Sequence, residues 1–143
     1  MHGRFFLSVL ANENPPEWDE VYASHTFHEI TLYFPMRVIR TRQYKLILNI
    51  AHLLPFPFAA DLYESTTWQG VLRRNDSVYG RRKAADFLQR HRSELYDLQA
   101  DSDGINNLAN DPGHASTLAE LQQKVKVFQK QTDEPWLVKY KCE

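Results

Sequence analysis

Between Pro35 and Ile50 the chain runs PMRVIRTRQYKLILNI. Apolar and polar side chains alternate along it, with a polar break at Thr41-Arg42-Gln43. Two short strands joined by a tight turn satisfy that pattern. A turn at Arg42-Gln43 sets Ile39 against Leu46 and Val38 against Ile47. One face then carries Arg37, Ile39, Thr41, Tyr44, Leu46, Leu48 and Ile50. The other carries Met36, Val38, Arg40, Lys45, Ile47 and Asn49. Neither face is wholly polar, so the hairpin is expected to be covered on both sides.

On the N-terminal side, Trp18–Ser24 (WDEVYAS) reads as a strand anchored by Trp18, Val21 and Tyr22. His25-Thr26-Phe27-His28-Glu29 links it to Ile30–Phe34 and the hairpin. Further upstream, Gly3–Leu10 reads as a short turn or helix and Asn12–Glu17 as a proline-containing loop. On the C-terminal side, Pro55-Phe56-Pro57-Phe58 forbids a helix or a central strand, so Ala51–Leu62 is expected to be a long ordered loop pinned by its phenylalanines. Ser65 or Thr66 can cap a helix from Thr67 to about Arg73. Asn75–Arg82 reads as polar and loose, Lys83–Arg90 as helical, and Glu94–Leu98 (ELYDL) as a strand. Asp101-Ser102-Asp103-Gly104 is a turn. Asp111-Pro112 opens the longest helix, with aspartate suited to the cap and proline to the first turn. Its apolar stripe is Leu118, Leu121, Val125 and Phe128. The tail from Thr132, with Pro135-Trp136, is expected to return across the sheet.

A chain of 143 residues makes one domain with a core of its own. With 17 basic and 18 acidic residues it offers no electrostatic case for nucleic acid or an anionic membrane. Aromatic content of 13% argues against disorder. No run of about 18 apolar residues exists, so no membrane span is expected. Cys142 is the only cysteine, which rules out an intrachain disulfide and a cysteine zinc site. The opening segment lacks a signal-peptide cleavage region and reads as chain arriving from elsewhere.

The densest functional cluster is His25-x-x-His28-Glu29. Three readings compete: hydrogen-bonding residues at a sheet edge, metal ligands, and substrate contacts in a cleft shared with another domain. Residues three apart in an extended strand point to opposite faces, and no third ligand is indicated, which weakens the metal reading. Arg37 shares a face with Ile39, Leu46 and Leu48. A guanidinium there needs an acceptor, and Glu29, Glu94 or Asp97 could supply it as a structural ion pair. Arg40, Arg42 and Lys45 gather at the hairpin tip, where a solvated end competes with a β-ribbon for DNA. No nucleophile elbow, glycine-rich phosphate loop or helical H-E-x-x-H occurs. Asp101-x-Asp103-Gly104 matches half of a calcium loop but has no distal glutamate. Asn75-Asp76-Ser77 is a glycosylation acceptor triplet.

Several of these stretches, taken in order, resemble the C-terminal region of sulfatases. Tyr33-Phe34-Pro35-Met36-Arg37-Val38-Ile39-Arg40-Thr41 and Tyr44-Lys45-Leu46-Ile47-x-Asn49 are similar to that family's Pro-x-Arg-x-x-Arg-Thr and Tyr-Lys-x-Ile strands. Glu94-Leu95-Tyr96-Asp97-Leu98, Asp101 and Asn107-Leu108 resemble its Glu-Leu-Tyr-Asp-Leu, Asp-Pro and Asn-Leu signature. Five features resemble the sulfamidase subgroup: His28-Glu29, the Pro55–Phe58 loop, Ser65-x-Thr67-Trp68-Gln69, Thr132-Asp133-Glu134-Pro135-Trp136, and Gly3-Arg4-x-x-Leu7. The chain departs from the pattern at Ser102, where proline is usual, and at Gly104, where an acidic residue is common.

The resemblance implies an α+β fold: a small antiparallel β-sheet with a long C-terminal helix packed on it. It divides the chain into a connecting segment, 1–17, from a catalytic domain outside this sequence, and a C-terminal subdomain, 18–143. It implies hydrolysis of N-sulfate or O-sulfate on glycosaminoglycan-type sugars, with this subdomain shaping the substrate pocket and inactive alone. His28 and Glu29, with His25, are the implied substrate contacts, and Arg37 braces the strand behind them. No catalytic residue and no metal ligand is expected in this chain. Calcium and formylglycine are expected in the catalytic domain: the resemblance implies formylglycine made from a cysteine in a Cys-x-Pro-Ser-Arg context, which is not in this sequence and which Cys142 does not supply, and a calcium site of aspartates and an asparagine in the larger N-terminal domain. The expected partners are that N-terminal catalytic domain and a sulfated sugar, in a lysosomal, periplasmic or secreted setting. The alternative is a stand-alone module that binds protein or glycan without catalysis.

Overall fold

The computed structural model describes residues 6–13, 15, 18–28 and 32–139. Its centre is a four-stranded antiparallel sheet of β1 (Val21–His28), β2 (Leu32–Arg40), β3 (Tyr44–Asn49) and β6 (Ser93–Asp97), in the order β1-β2-β3-β6. The β2–β3 hairpin has the expected register, Ile39 opposite Leu46 and Val38 opposite Ile47. Thr41 closes the turn: its N–H donates to the Tyr44 carbonyl, and its Oγ1 accepts from the Tyr44 N–H.

On one face Ile39, Leu46, Leu48 and Leu95 are buried against Leu121 and Val125 of α4 (Ala115–Gln131), and these six form the main core. Removing such side chains from water is the dominant gain in folding, about 1.5–3 kcal/mol for each Leu, Ile or Val. Leu121 and Val125 are four apart, one turn along the same helix face. Phe128 lies at the edge of the stripe and stacks on Tyr22, centroids 4.2 Å apart and 5° from parallel.

The other face is covered by the loop and short elements between β3 and β6. Phe34 meets Phe56 edge-on at 5.0 Å, Phe56 meets Phe58 at 6.1 Å, and Phe58 lies 4.9 Å from Trp68. This aromatic chain runs from the sheet to a second core of Trp68, Val71 and Ala84. α1 (Ala60–Glu64) and α2 (Thr66–Arg74) follow the loop, and Ser65 caps α2 by accepting from the Trp68 N–H. The hairpin is therefore covered on both sides, and the two phenylalanines pin the loop as expected.

Four expectations are corrected. The first strand is β1, Val21–His28, rather than Trp18–Ser24, because its ladder with β2 continues to His28 opposite Leu32. Asn75–Arg82 is less loose than its composition suggests. Asn75 ends α2 in the left-handed conformation, and β4 (Val78–Tyr79) and β5 (Arg82–Lys83) pair about Gly80. The helix in Lys83–Arg90 is only α3 (Ala85–Leu88). Asp111-Pro112 opens a 3-10 turn (Pro112–His114), and the α-helix proper begins at Ala115. Asp111 still caps, accepting from the Gly113 N–H at 2.9 Å. Among the described residues no helix is long and apolar enough to cross a membrane.

Candidate functional site

β2 is an interior strand, yet it contains Pro35, which cannot donate to a ladder. The β1–β2 register accommodates it. Met36 pairs with His25 and Tyr33 with Phe27, so Phe34 and Pro35 together stand opposite Thr26. Such a bulge breaks the alternation of side chains. Its effect falls on the two histidines. A regular strand would put His25 and His28 on opposite faces, but both line one groove of about 270 Å³ with Leu32, Met36, Phe56 and Leu62. His25 is half-buried and His28 exposed. The groove thus has an apolar floor and two imidazoles on its rim. Glu29, the third residue expected here, lies outside the described residues.

Arg37 is 4% exposed on the core face, as its position in the hairpin predicts. Its partner is neither Glu94 nor Asp97. Nε and Nη2 both donate to Glu134, beyond the end of α4, with Nε at 2.7 Å. Nη1 donates to the main-chain carbonyls of His25, 2.9 Å, and Met36, 2.7 Å. Gln129 donates to Glu134 as well, at 2.6 Å. Burial alone would raise the Glu134 carboxyl, but the hydrogen bonds from Arg37 and Gln129 outweigh it and hold the group below its ordinary value. Arg37 therefore ties the tail to the sheet and, through the His25 carbonyl, braces the strand that carries the histidines.

Glu94 and Asp97, expected beside Arg37, serve elsewhere. Glu94 is buried on the opposite face, where it accepts from Arg90 (2.8 and 2.6 Å), Asn49 (2.9 Å) and the Tyr96 hydroxyl (2.9 Å). The physical reason is alternation: Glu94 pairs with Ile47, which faces away from the helix. Asp97 accepts from Gln43 at 2.8 Å and from the Gln99 and Ala100 N–H groups.

Asp101 accepts from the Ile105 and Asn106 N–H groups, both at 2.7 Å, and Asp103 pairs with Arg81. These carboxylates build a turn and do not converge on an ion. Among the described residues no group of three or more His, Cys, Asp or Glu is placed to hold a metal.

Sequence reasoning missed Glu134. The available signal was the demand itself: a strand arginine among aliphatics requires a carboxylate, and the tail was expected to cross the sheet.

No family model matches the chain. Over 138 residues it is 35% identical to N-sulphoglucosamine sulphohydrolase of Homo sapiens, a match that takes in 94% of this chain and 27% of that protein. The chain thus spans about a quarter of the length of its curated relative. Two solved structures share its fold. One is described as a sulfatase from Bacteroides thetaiotaomicron, with TM-score 0.51, 18% identity, 82% of this chain and 17% of the other. The second is a 2-O GAG sulfatase, with TM-score 0.56, 16% identity, 91% of this chain and 20% of the other.

Proposed function

We propose that this chain, related to the sulfatases in sequence and in fold, is the C-terminal subdomain of a sulfamidase-like sulfatase and lends its histidine groove to the substrate pocket. The observation that carries the reading is the convergence of His25 and His28 on one groove, which the bulge opposite Thr26 produces. An imidazole can donate or accept a hydrogen bond, as sugar hydroxyls require. The apolar floor suits the C–H face of a sugar ring. Glu29, next to His28 in sequence, is the third proposed contact.

The reaction of this reading is hydrolysis of an N-sulfate or O-sulfate on a glycosaminoglycan-type sugar. In this reading its calcium and formylglycine nucleophile belong to the catalytic domain. The chain by itself binds and orients. Arg37 is a positioning residue in this scheme, because it reaches the groove only through the His25 main chain.

The test replaces the matching stretch of human N-sulphoglucosamine sulphohydrolase with this chain and measures sulfate release from N-sulfated glucosamine. The chimera is expected to turn over. His28→Ala is expected to lower kcat/KM roughly tenfold, the worth of one hydrogen bond to a polar ligand, without moving the melting temperature. Sulfate release by the chain alone, or normal kinetics of His28→Ala in an active chimera, would overturn the proposal.

A further inference from the structure

At the other end of the strands, about 13 Å along β2 from Met36 in the histidine groove, the sheet's second face carries an unbalanced set of cations. Arg40 and Lys45 are direct cross-strand partners, and like charges in that relation repel. Lys45 in turn pairs with Tyr96, and its Nζ lies 5.1 Å from the centre of that ring. The Arg82 guanidinium lies 5.8 Å from the same ring. Arg82 is fixed there by two carbonyls, Asp103 at 3.1 Å and Gly104 at 2.6 Å, so its positive charge is positioned but not neutralised. Among the described residues Glu94 is the carboxylate that acts on Lys45, opposing the two arginines, and it is already engaged by Arg90, Asn49 and Tyr96. Burial holds the Lys45 ammonium below its ordinary value, and Arg82 and Arg40 push the same way.

Beside this corner opens a cleft of about 560 Å³, lined by Tyr79, Arg81, Arg82, Phe87, Asp103 and Ile105. Arg81 is paired with Asp103 across it. Arg82 belongs both to the cleft and to the cation group. Two aromatic rings in an open cleft with cations at its edge match a ring-shaped ligand bearing an anionic substituent better than they match an extended acidic peptide.

We propose that Lys45, Arg40 and Arg82, with the Tyr79–Phe87 cleft, form a second saccharide site that takes a sulfate or carboxylate substituent, distinct from the histidine groove. The requirement for an anion rests on the charges alone. The choice of a saccharide rests on the sulfatase-related reading above. A cross-strand like-charge pair with no ion pair to a carboxylate among the described residues is a local conflict of the kind proteins keep at functional sites.

The experiment titrates the full chain, at low and moderate salt, with a sulfated heparin-derived tetrasaccharide, its desulfated form, inorganic sulfate and a poly-glutamate peptide. Calorimetry gives affinity and amide shifts give location. The sulfated tetrasaccharide is expected to bind saturably with shifts at Lys45, Tyr96, Gly104 and Arg82, and inorganic sulfate to shift the same amides weakly. Desulfation should weaken binding. Lys45→Gln is expected to weaken binding roughly tenfold, one charge-assisted contact, while its unliganded melting temperature equals or exceeds that of the natural chain. If Lys45→Gln fails to fold, the exposed Arg40→Gln serves, with an expected several-fold loss. No saturable binding, shifts confined to the histidine groove, unchanged affinity in both variants, or equal binding of poly-glutamate would each overturn the proposal. Because the readout is binding to the chain alone, failure here is separable from failure of sulfate release in the chimera.

Discussion

Arg37 on β2 and Glu134 beyond α4 are 97 positions apart and form a two-point ion pair at the centre of the fold. Arg37 is almost wholly withdrawn from water and Glu134 is 18% exposed at its side chain. Removing one member of such a pair leaves the other buried without compensation, which costs about 3–5 kcal/mol. Arg37→Ala and Glu134→Ala are each expected to destabilise by about 3 kcal/mol, the lower end of that range because Glu134 keeps some solvent. Urea unfolding of the two single variants and the double variant checks this. The double variant should cost clearly less than the sum.

The same carboxyl sets an acid limit. The folded-state value of Glu134 lies below its ordinary value of 4.5. A group depressed by folding contributes its stabilisation fully above the unfolded value and loses it as pH falls through the folded value. Stability is therefore expected to decline below about pH 4.5. In Glu134→Gln the slope over that window should be shallower, read from denaturant midpoints at closely spaced pH.

Trp68 is fully buried and touches Phe58, Tyr79 and Phe87. Trp68→Ala is expected to cost about 3–5 kcal/mol through the cavity it leaves. Hydrogen exchange should show the loss concentrated in α2 and the β4–β5 ladder, with α4 amides less affected. Equal loss of protection in α4 would mean that the two cores unfold as one.

Gly104 holds a φ of +58°, and a methyl group placed there would sit 3.5 Å from both Lys45 Nζ and the Tyr96 ring. Gly104→Ala is expected to destabilise by about 1 kcal/mol, from the left-handed backbone more than from the contact. A thermal melt checks it.

Elements held by local chemistry were legible in the sequence. The hairpin register followed from alternation and its polar break, a helix cap at Ser65 or Thr66 from their hydroxyls, of which the fold uses Ser65, and the phenylalanine loop from two prolines. What escaped depended on distant chain. The end of β1 is set by pairing with Leu32, and the shortness of α3 by no signal within Lys83–Arg90. The carboxylate for Arg37 could not be chosen among acidic residues without the path of the tail. The shared groove of His25 and His28 escaped for a different reason. A strict two-residue period assigns them to opposite faces, and only the ladder shows that Thr26 faces two residues instead of one.

The span between Arg37 and Glu134 also orders events during translation. At about 5–20 residues per second, Arg37 waits roughly 5–20 s for its carboxylate to be synthesised. Until then the nascent hairpin holds an unneutralised guanidinium on its most apolar face and has reason to stay solvated. Closure of the core around Arg37 is thereby expected to wait until the chain beyond α4 has been made.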